Sequence, residues 1–133
     1  MDRKSVDLDA YRELTGKIIG CAMQVHRVLG TGFQEVIYQR ALAIELEQCG
    51  VTAQREVEMP IHYRQRDIGS RRVDFLVAET VLVELKALSG LNETHHAQII
   101  NYLEAYRLPI GLLINFGTSS LEFKRFVKTL PVY

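Results

Sequence analysis

Apolar residues recur at the three- and four-residue spacing of a helix throughout the first fifty positions. A first helix is predicted over residues 8–29, with one face formed by Leu14, Ile18, Ile19, Ala22, Val25 and Leu29. Gly30 follows this run and is expected to end the helix, because glycine tolerates the left-handed backbone found there. A second helix is predicted over residues 33–49, ending at Gly50. The fold is therefore expected to begin with two helices.

After Gly50 the apolar residues alternate with polar ones, which is typical of strands. Strands are predicted over residues 54–63, 72–78 and 81–88. Pro60 indicates that the first strand lies at a sheet edge, since proline cannot donate a ladder hydrogen bond. Residues 64–70 are predicted to be a polar turn, and Glu79-Thr80 a hairpin turn.

The last third of the chain adds one helix and one or two strands. Asn92 or Thr94 is expected to cap a helix that reaches about Tyr106. Strands follow over residues 110–116 and 123–127. This order predicts an α/β protein with one sheet and one domain, residues 1–133.

Composition narrows the class of partner and the compartment. Hydrophobic residues make up 47% of the chain, enough for a globular core, and 16 basic residues balance 16 acidic ones. No overall basic field therefore attracts nucleic acid or anionic lipid, and any such binding needs a local patch. The chain lacks a secretory signal or a long apolar run, so we expect a cytoplasmic protein without a membrane partner. Cys21 and Cys49 show no zinc-site spacing.

Charged residues interrupt the most apolar predicted strand. In residues 81–88, Glu84 and Lys86 share one face with leucines, while the other face is entirely apolar. Apolar residues on both faces indicate a strand that is covered on both sides. Burying an ion there costs several kcal/mol, so the two charges need compensation.

Asp74 repeats this anomaly on the preceding strand. A hairpin about residues 79–80 pairs positions whose numbers sum to about 159, which brings Asp74 beside Glu84. Carboxylate oxygens are hard ligands, so this pair favours Mg²⁺ or Mn²⁺. Lys86 could orient a water for attack on a phosphate ester. The alternative is structural: Glu84 pairs with Lys86, and Asp74 pairs with Arg71 or Arg72.

These residues resemble the signature of the PD-(D/E)XK nuclease superfamily: Asp74, then Glu84-x-Lys86 on the next strand, with Val73 where proline is usual. Residues 32–38 also fit the pattern G-x-x-E-x-x-Y of the GxxExxY protein family, and the similarity spans about residues 15–128. The resemblance implies an αβββαβ core with an extra N-terminal helix and a single mixed sheet flanked by helices.

The resemblance also assigns roles to individual residues. It implies Asp74 and Glu84 as metal ligands, the Leu85 carbonyl as a third ligand, and Lys86 as the base that positions water. Glu35 on the second helix would be an additional ligand or an acid/base.

Glu35 lies on the stripe that carries Tyr38 and Leu42, so its carboxylate is expected to point inward. Alternatively, Glu35 is a first-turn glutamate favoured by the helix dipole and a nearby Thr31 cap. His26 resembles a family histidine that would hydrogen-bond Glu35 or a metal-bound water, with a structural histidine as the alternative.

On the third helix, Gln98 and Tyr102 share a face, and this Gln-x-x-x-Tyr pattern resembles nuclease branches in which it orients the site and contacts phosphate. Core packing is the alternative for Tyr102. A basic cluster that could hold phosphates, or be a solvated loop, comprises Arg64, Arg66, Arg71 and Arg72.

Together these features predict a metal-dependent nuclease that uses Mg²⁺ or Mn²⁺, with DNA favoured as substrate by family analogy. Because the net charge is zero, a homodimer or protein partner could supply binding surface. Two alternatives stay open: a non-catalytic nuclease-fold module that binds nucleic acid or protein, and a hydrolase of another phosphate ester.

Overall fold

The computed structural model describes residues 8–128, which form three helices and five strands. The helices are α1 (Leu8–Leu29), α2 (Glu35–Gln48) and α3 (Glu93–Tyr106). The strands are β1 (Ala53–Tyr63), β2 (Arg66–Val77), β3 (Val81–Lys86), β4 (Ile110–Asn115) and β5 (Glu122–Val127). None of the helices in this part of the chain is long and apolar enough to cross a membrane.

The five strands form one mixed sheet in the order β1-β2-β3-β4-β5. β3 and β4 run parallel, connected through α3, and the other neighbours are antiparallel. β1 lies at an edge, as Pro60 predicted, and β3 lies at the centre. The αβββαβ order with an extra N-terminal helix is confirmed.

Each face of the sheet is covered by helices, which explains why β3 is apolar on both sides. On one face α1 and α2 pack against the sheet, and Tyr38 stacks on Phe116 with ring centroids 4.6 Å apart. On the other face α3 packs through Ile99 and Leu103 against Leu82. Full burial of each such side chain contributes about 2–3 kcal/mol. The charged residues of β3 therefore project from the middle layer of a three-layer structure.

The polar turn predicted over residues 64–70 is wrong. β2 begins at Arg66, and only Arg64 and Gln65 form the turn, both with positive φ. The pairing of β1 with β2 extends to Tyr63 and Arg66, with an irregularity near Ile61 and His62. The strand was missed because its residues are mostly polar and exposed, so they lack the apolar alternation of a half-buried strand. The two strands form a long hairpin.

The start of α2 also differs from the expectation. The helix begins at Glu35, and its N-cap is Gln34, whose side chain makes no capping hydrogen bond. Thr31 is therefore not the N-cap. α3, by contrast, has one of the two predicted caps: Asn92 is its N-cap, and the Asn92 side-chain oxygen accepts from the backbone N–H groups of Thr94 and His95.

A buried asparagine joins the end of β3 to β4. Asn115 is fully buried, and its Oδ1 accepts from the backbone N–H of Leu88 at 2.9 Å and of Gly117 at 3.1 Å. Its Nδ2 donates to the Leu88 carbonyl at 3.0 Å and to Glu122 Oε1 at 2.8 Å. We call these groups the Asn115 network. They hold the chain that follows Lys86, which pairs with Asn115 in the sheet.

Candidate active site

The candidate site lies where β2 and β3 separate. The two strands pair only from Phe75 to Val77, opposite Val83 to Val81. The paired numbers sum to 158 (75 + 83), within one of the predicted register. Asp74 and Glu84 are the first residues beyond the last pair, so their side chains occupy the opening between the strands.

Asp74 bridges this opening with both of its carboxylate oxygens. Oδ2 accepts from the backbone N–H of Leu85 at 2.8 Å, and Oδ1 accepts from Nε2 of Gln39 at 2.7 Å. The first bond replaces a ladder hydrogen bond of β3, and the second links the site to α2. Asp74 is thereby held in one orientation.

Glu84 is the least satisfied ionisable group at the site. Its residue is 6% exposed, and its Oε1 has no hydrogen-bond partner within residues 8–128. Burial, followed by the negative charge of Asp74, raises the pKa of Glu84 to about 8, while Lys86 and Arg71 act in the opposite direction. A carboxylate in this position is costly unless another positive charge joins it.

The ion pairs of the structural alternative, Glu84 with Lys86 and Asp74 with Arg71 or Arg72, are not found among the described residues. Among residues 8–128, the ion pairs join Arg72 to Glu56, Arg72 to Glu58, and Lys128 to Glu104. Neither the Glu84–Lys86 pair nor a pair of Asp74 with arginine is among them. Lys86 is half-buried and close enough to act on Glu84 and Glu35 electrostatically.

Glu35 stands at the first turn of α2, near the acidic pair. Glu35 is exposed, so it is not part of the buried core face that the helical stripe predicts. The surrounding protein nevertheless partly desolvates the Glu35 carboxylate. This desolvation and the negative charge of Asp74 raise the pKa of Glu35, whereas the positive charge of Lys86 lowers it. Glu35 thus borders the same cleft from the α2 side.

Residues from β2 and α3 border the cleft on the opposite side. Arg71 Nε donates to the Tyr102 hydroxyl, and its guanidinium lies 5.7 Å from the centroid of the Tyr102 ring. Arg71 is near enough to lower the pKa of Glu84. Gln98 is half-buried on the same face of α3 as Tyr102. An arginine and a tyrosine hydroxyl can both hydrogen-bond a phosphate oxygen.

His26 is placed elsewhere. Its Nε2 lies 2.9 Å from the Thr118 carbonyl, and its ring tilts against Phe116. The partner of His26 is therefore a backbone carbonyl after β4 rather than the expected Glu35. These contacts support the structural alternative for this histidine.

Gln39 is the site residue that the sequence analysis missed. It is 6% exposed, donates to Asp74, and has an unpartnered Oε1 within the described chain. A signal was present, because Glu35, Gln39, Leu42 and Leu46 follow the alternating four- and three-residue spacing of one helix stripe. An amide on the buried part of that stripe requires a polar partner.

The arrangement offers oxygen ligands rather than a cluster of many side chains. No three His, Cys, Asp or Glu side chains between residues 8 and 128 come together as a metal-holding group. The predicted set contains two carboxylates and one carbonyl, from Asp74, Glu84 and Leu85. A buried carboxylate oxygen that has no partner in the described part of the chain, beside a second carboxylate, fits a divalent cation, which prefers hard oxygen ligands.

Comparison with known proteins identifies the fold family. A family model described as the PD-(D/E)XK nuclease superfamily matches residues 12–126. The chain belongs to the PD-(D/E)XK nuclease superfamily. Nucleases of this superfamily typically use divalent metals. A search of curated proteins found no match.

One solved structure has a similar fold. The crystal structure of SSO0001 superimposes with a TM-score of 0.57 at 19% sequence identity. The match covers 71% of this chain and 51% of that one, so the chain spans about half the length of SSO0001. At this identity the likeness supports the α/β fold alone.

Proposed function

We propose that this superfamily member hydrolyses phosphodiester bonds of nucleic acid with the help of a divalent cation held by Asp74 and Glu84. One observation carries the proposal: Glu84 is buried, next to a second carboxylate, and one of its oxygens has no partner among residues 8–128. Natural cores avoid such a group unless it serves a function, because it costs free energy of folding.

The donor set fits Mg²⁺ or Mn²⁺. Asp74 and Glu84 supply negatively charged oxygens, and the Leu85 carbonyl is the third oxygen of the proposed set. When bound, the cation would polarise a phosphate oxygen and lower the pKa of a water. Gln39 and the Leu85 N–H hold the Asp74 carboxylate, so that ligand does not have to be ordered during binding.

Further roles follow from position around the cleft. Lys86 projects from the same strand as Glu84 and is proposed to orient the attacking water and offset the charge that develops on the phosphate. Glu35, at the α2 side, is proposed as an additional ligand or proton carrier, consistent with its raised pKa. Gln98 and Tyr102 are proposed to contact the phosphate from α3. His26 is not part of the proposed set.

DNA is the proposed substrate, by analogy with the superfamily, and Arg71 beside Tyr102 is a phosphate contact of suitable charge. The chain's net charge of zero makes affinity dependent on such local groups. Salt is therefore expected to weaken substrate binding.

Calorimetric titration with Mn²⁺ tests the metal site directly. The wild type is expected to bind, and Asp74→Asn and Glu84→Gln are expected to lose binding, because each removes a negatively charged ligand. Glu104→Gln is a matched control, since this exposed glutamate on α3 pairs with Lys128 away from the cleft. Equal binding by wild type, Glu84→Gln and Glu104→Gln would refute the proposed metal site.

A cleavage assay tests the reaction. Purified protein is incubated with linear, nicked and single-stranded DNA and with RNA, in Mg²⁺, Mn²⁺ or EDTA. Cleavage that requires the cation and falls at least a hundredfold in Lys86→Ala supports the proposal. Metal binding without cleavage of any substrate would instead favour the non-catalytic module. Cleavage that is unchanged in Lys86→Ala would contradict the assigned role.

A further inference from the structure

The hairpin of β1 and β2 extends from the candidate site as an arm, which we define as residues 59–71. Asp74 lies three residues beyond the arm on β2, and Arg66 at its tip lies eight residues from Asp74. Eight strand residues span up to about 26 Å, enough to contact several nucleotides. The arm therefore begins next to the acidic pair and reaches well beyond it.

The two strands change the face they present at the level of Asp74. Phe75 packs in the core beneath α1 and α2, whereas Val73 packs in the core beneath α3. Opposite Asp74, Glu56 has a φ of 55°, and the neighbouring Val57 also packs on the α3 side. Met59, the next odd-numbered residue of β1, packs on the α3 side as well. The alternation of side chains along a strand directs Ile61 and Tyr63 to the same face.

This α3-side face of the arm carries aromatic, apolar and basic residues. Met59 and Arg71 pair across the strands, and Arg71 contacts Tyr102 of α3. Tyr63 pairs with Arg66 further along the same face, so the residues that follow outward from Met59 are Ile61, Tyr63 and Arg66. Tyr63 is 64% exposed, and Ile61 is exposed as well. The exposed side chain of Arg66 makes no ion pair or hydrogen bond with any described residue.

The opposite face of the hairpin, at the base of the arm and along it, differs in charge. Glu58 accepts hydrogen bonds from Ser70 at 2.6 Å and from Arg72 at 3.4 Å, and these bonds lower its pKa. The Asp67 carboxylate accepts from the Gly69 N–H. The acidic groups and their partners thus lie on one face of the hairpin. Arg66 and Arg71, which have no acidic partner among the described residues, lie on the α3-side face that continues to Glu84.

The tip is built at a conformational cost. Arg64 and Gln65 have φ values of 50° and 64°, a left-handed pair for which Asn-Gly is the favoured sequence. Non-glycine residues in this region cost about 1 kcal/mol or more each. Backbone strain of this kind concentrates at functional segments, and here it creates a two-residue turn that presents arginine at the end of the arm.

We propose that the α3-side face of the arm binds single-stranded nucleic acid and leads it to the acidic centre. Bases stack on Tyr63, while Arg66 and Arg71 contact successive phosphates, the combination of aromatic and basic groups that suits a single strand of any sequence. This inference rests on the proposed function, because it names the substrate form and the surface that receives it.

Fluorescence anisotropy with a labelled oligothymidine of twenty nucleotides tests the arm in EDTA, where metal-dependent cleavage cannot occur. Tyr63→Ala is expected to weaken binding about tenfold, the equivalent of one lost base stack. Arg66→Ala is expected to reduce the slope of log affinity against log salt by about 0.7. Arg72→Ala, which removes the same charge from the opposite face, is the matched control and is expected to bind within about twofold of wild type.

Three outcomes would overturn the inference. The first is equal binding by Tyr63→Ala and Arg72→Ala. The second is a higher affinity of the wild type for the corresponding duplex than for the single strand. The third is a Tyr63→Ala substitution whose only effect is a change from dimer to monomer. Failure of the proposed function is distinguishable. If the wild type binds the oligonucleotide through Tyr63 but cleaves no substrate, the inference about the arm stands and the proposed nuclease activity is refuted. If the wild type cleaves but Tyr63→Ala binds as tightly as the wild type, the activity stands and the inference about the arm is refuted.

The two cysteines support a second inference that is independent of nuclease chemistry. Cys21 on α1 is 5% exposed, and Cys49 at the end of α2 is exposed. Both are free, yet their Sγ atoms are 3.5 Å apart. A disulfide requires about 2.05 Å, so a small side-chain movement would join α1 to α2.

We infer that Cys21 and Cys49 are a dithiol site that small disulfides such as glutathione disulfide oxidise. The Cys49 thiolate attacks one sulfur of the small disulfide and releases one small thiol. Cys21 then loses its proton and displaces the second small thiol from Cys49. One small disulfide is reduced to two thiols, and two protein thiols become one disulfide. Burial raises the pKa of Cys21 to about 12, so the exposed Cys49 reacts first.

Intact mass measurement after incubation with glutathione disulfide tests this site. The wild type is expected to lose two hydrogen atoms, whereas Cys21→Ser is expected to retain one glutathione on Cys49. Cys49→Ser is expected to remain unmodified. A stable glutathione adduct on the wild type, with Cys21 still free, would overturn the inference.

Discussion

Two buried polar clusters in the same sheet differ in how completely their hydrogen-bonding groups are satisfied. In the Asn115 network, a fully buried amide uses its oxygen and nitrogen in four hydrogen bonds. At the acidic pair, Glu84 is nearly as buried but keeps an oxygen without a partner within the described chain. Both clusters lie at the same end of β3.

This difference separates structural polar groups from functional ones. A satisfied network stabilises one arrangement of the chain, and its loss leaves backbone groups of Leu88 and Gly117 without partners. An unsatisfied carboxylate destabilises the free protein and has affinity left for a cation. We therefore expect the two clusters to respond in opposite ways to substitution.

The largest expected effect is on activity, from Glu84→Gln. Removing the charge should reduce cation-dependent cleavage by about a thousandfold or more, since a bound cation contributes several kcal/mol to transition-state stabilisation. The free energy of unfolding without metal should stay equal or rise at pH 8. Rate measurements and urea denaturation test this, with Glu104→Gln as control. A large loss of stability would assign Glu84 a structural role.

The second prediction concerns pH in metal-free protein. Glu84 has a pKa of about 8 in the folded state, above its ordinary value of 4.5. The folded state therefore holds a proton that the unfolded state releases, so stability falls as the pH rises from about 4.5 to 8. We expect a loss on the order of 5 kcal/mol across this window from this group.

Urea denaturation in EDTA at several pH values measures that loss. Glu84→Gln should flatten the profile, and Mn²⁺ should restore stability at the upper end, because the cation binds the charged form. A wild-type profile that coincides with that of Glu84→Gln would contradict the prediction.

The third prediction tests the satisfied cluster. Asn115→Ala should lower the free energy of unfolding by about 3 kcal/mol, since several buried backbone groups lose their partners. Asn101→Ala, on the exposed side of α3, should change it by less than about 0.5 kcal/mol. Equal stability of these two variants in urea would show that the Asn115 network is dispensable.

The smallest expected effect is that of Gln39→Leu. This change removes a donor to Asp74 together with an unpartnered oxygen, so the free energy of unfolding should change by no more than about 1 kcal/mol. Cation affinity or cleavage should fall about tenfold, because the Asp74 carboxylate loses a group that orients it. Gln48→Leu, at the exposed end of α2, is the matched control and should retain both properties.

Most elements of the fold were predictable where burial imposes a pattern. α1, α3 and the central strands have clear apolar periodicity, and the predicted edge position of β1 is confirmed. The outer part of β2 was missed because exposed strands carry no such pattern. The hairpin of β1 and β2 depends on backbone hydrogen bonds between the strands and on two residues with left-handed backbone conformation. The residue types of Arg64 and Gln65 do not predict that conformation.

The candidate site was predictable in part for the same reason. Asp74 and Glu84 stand out because charge is rare on strands that are otherwise apolar, and the hairpin register brings them together. The contact of Gln39 with Asp74 and the exposure of Glu35 depend on how α2 packs against the sheet. His26 shows the limit of resemblance, because its partner comes from Thr118, far along the chain.

The order of residues along the chain determined the helices, the central strands and the meeting of two acidic residues, since local periodicity and short hairpins follow from neighbouring residues. Only the tertiary structure decided which buried polar groups are satisfied. Gln39 contacts Asp74, Asn115 contacts Leu88, and Glu84 keeps an oxygen that no residue of the described chain contacts. These outcomes depend on packing in three dimensions, because hydrogen-bond partners can be distant in sequence.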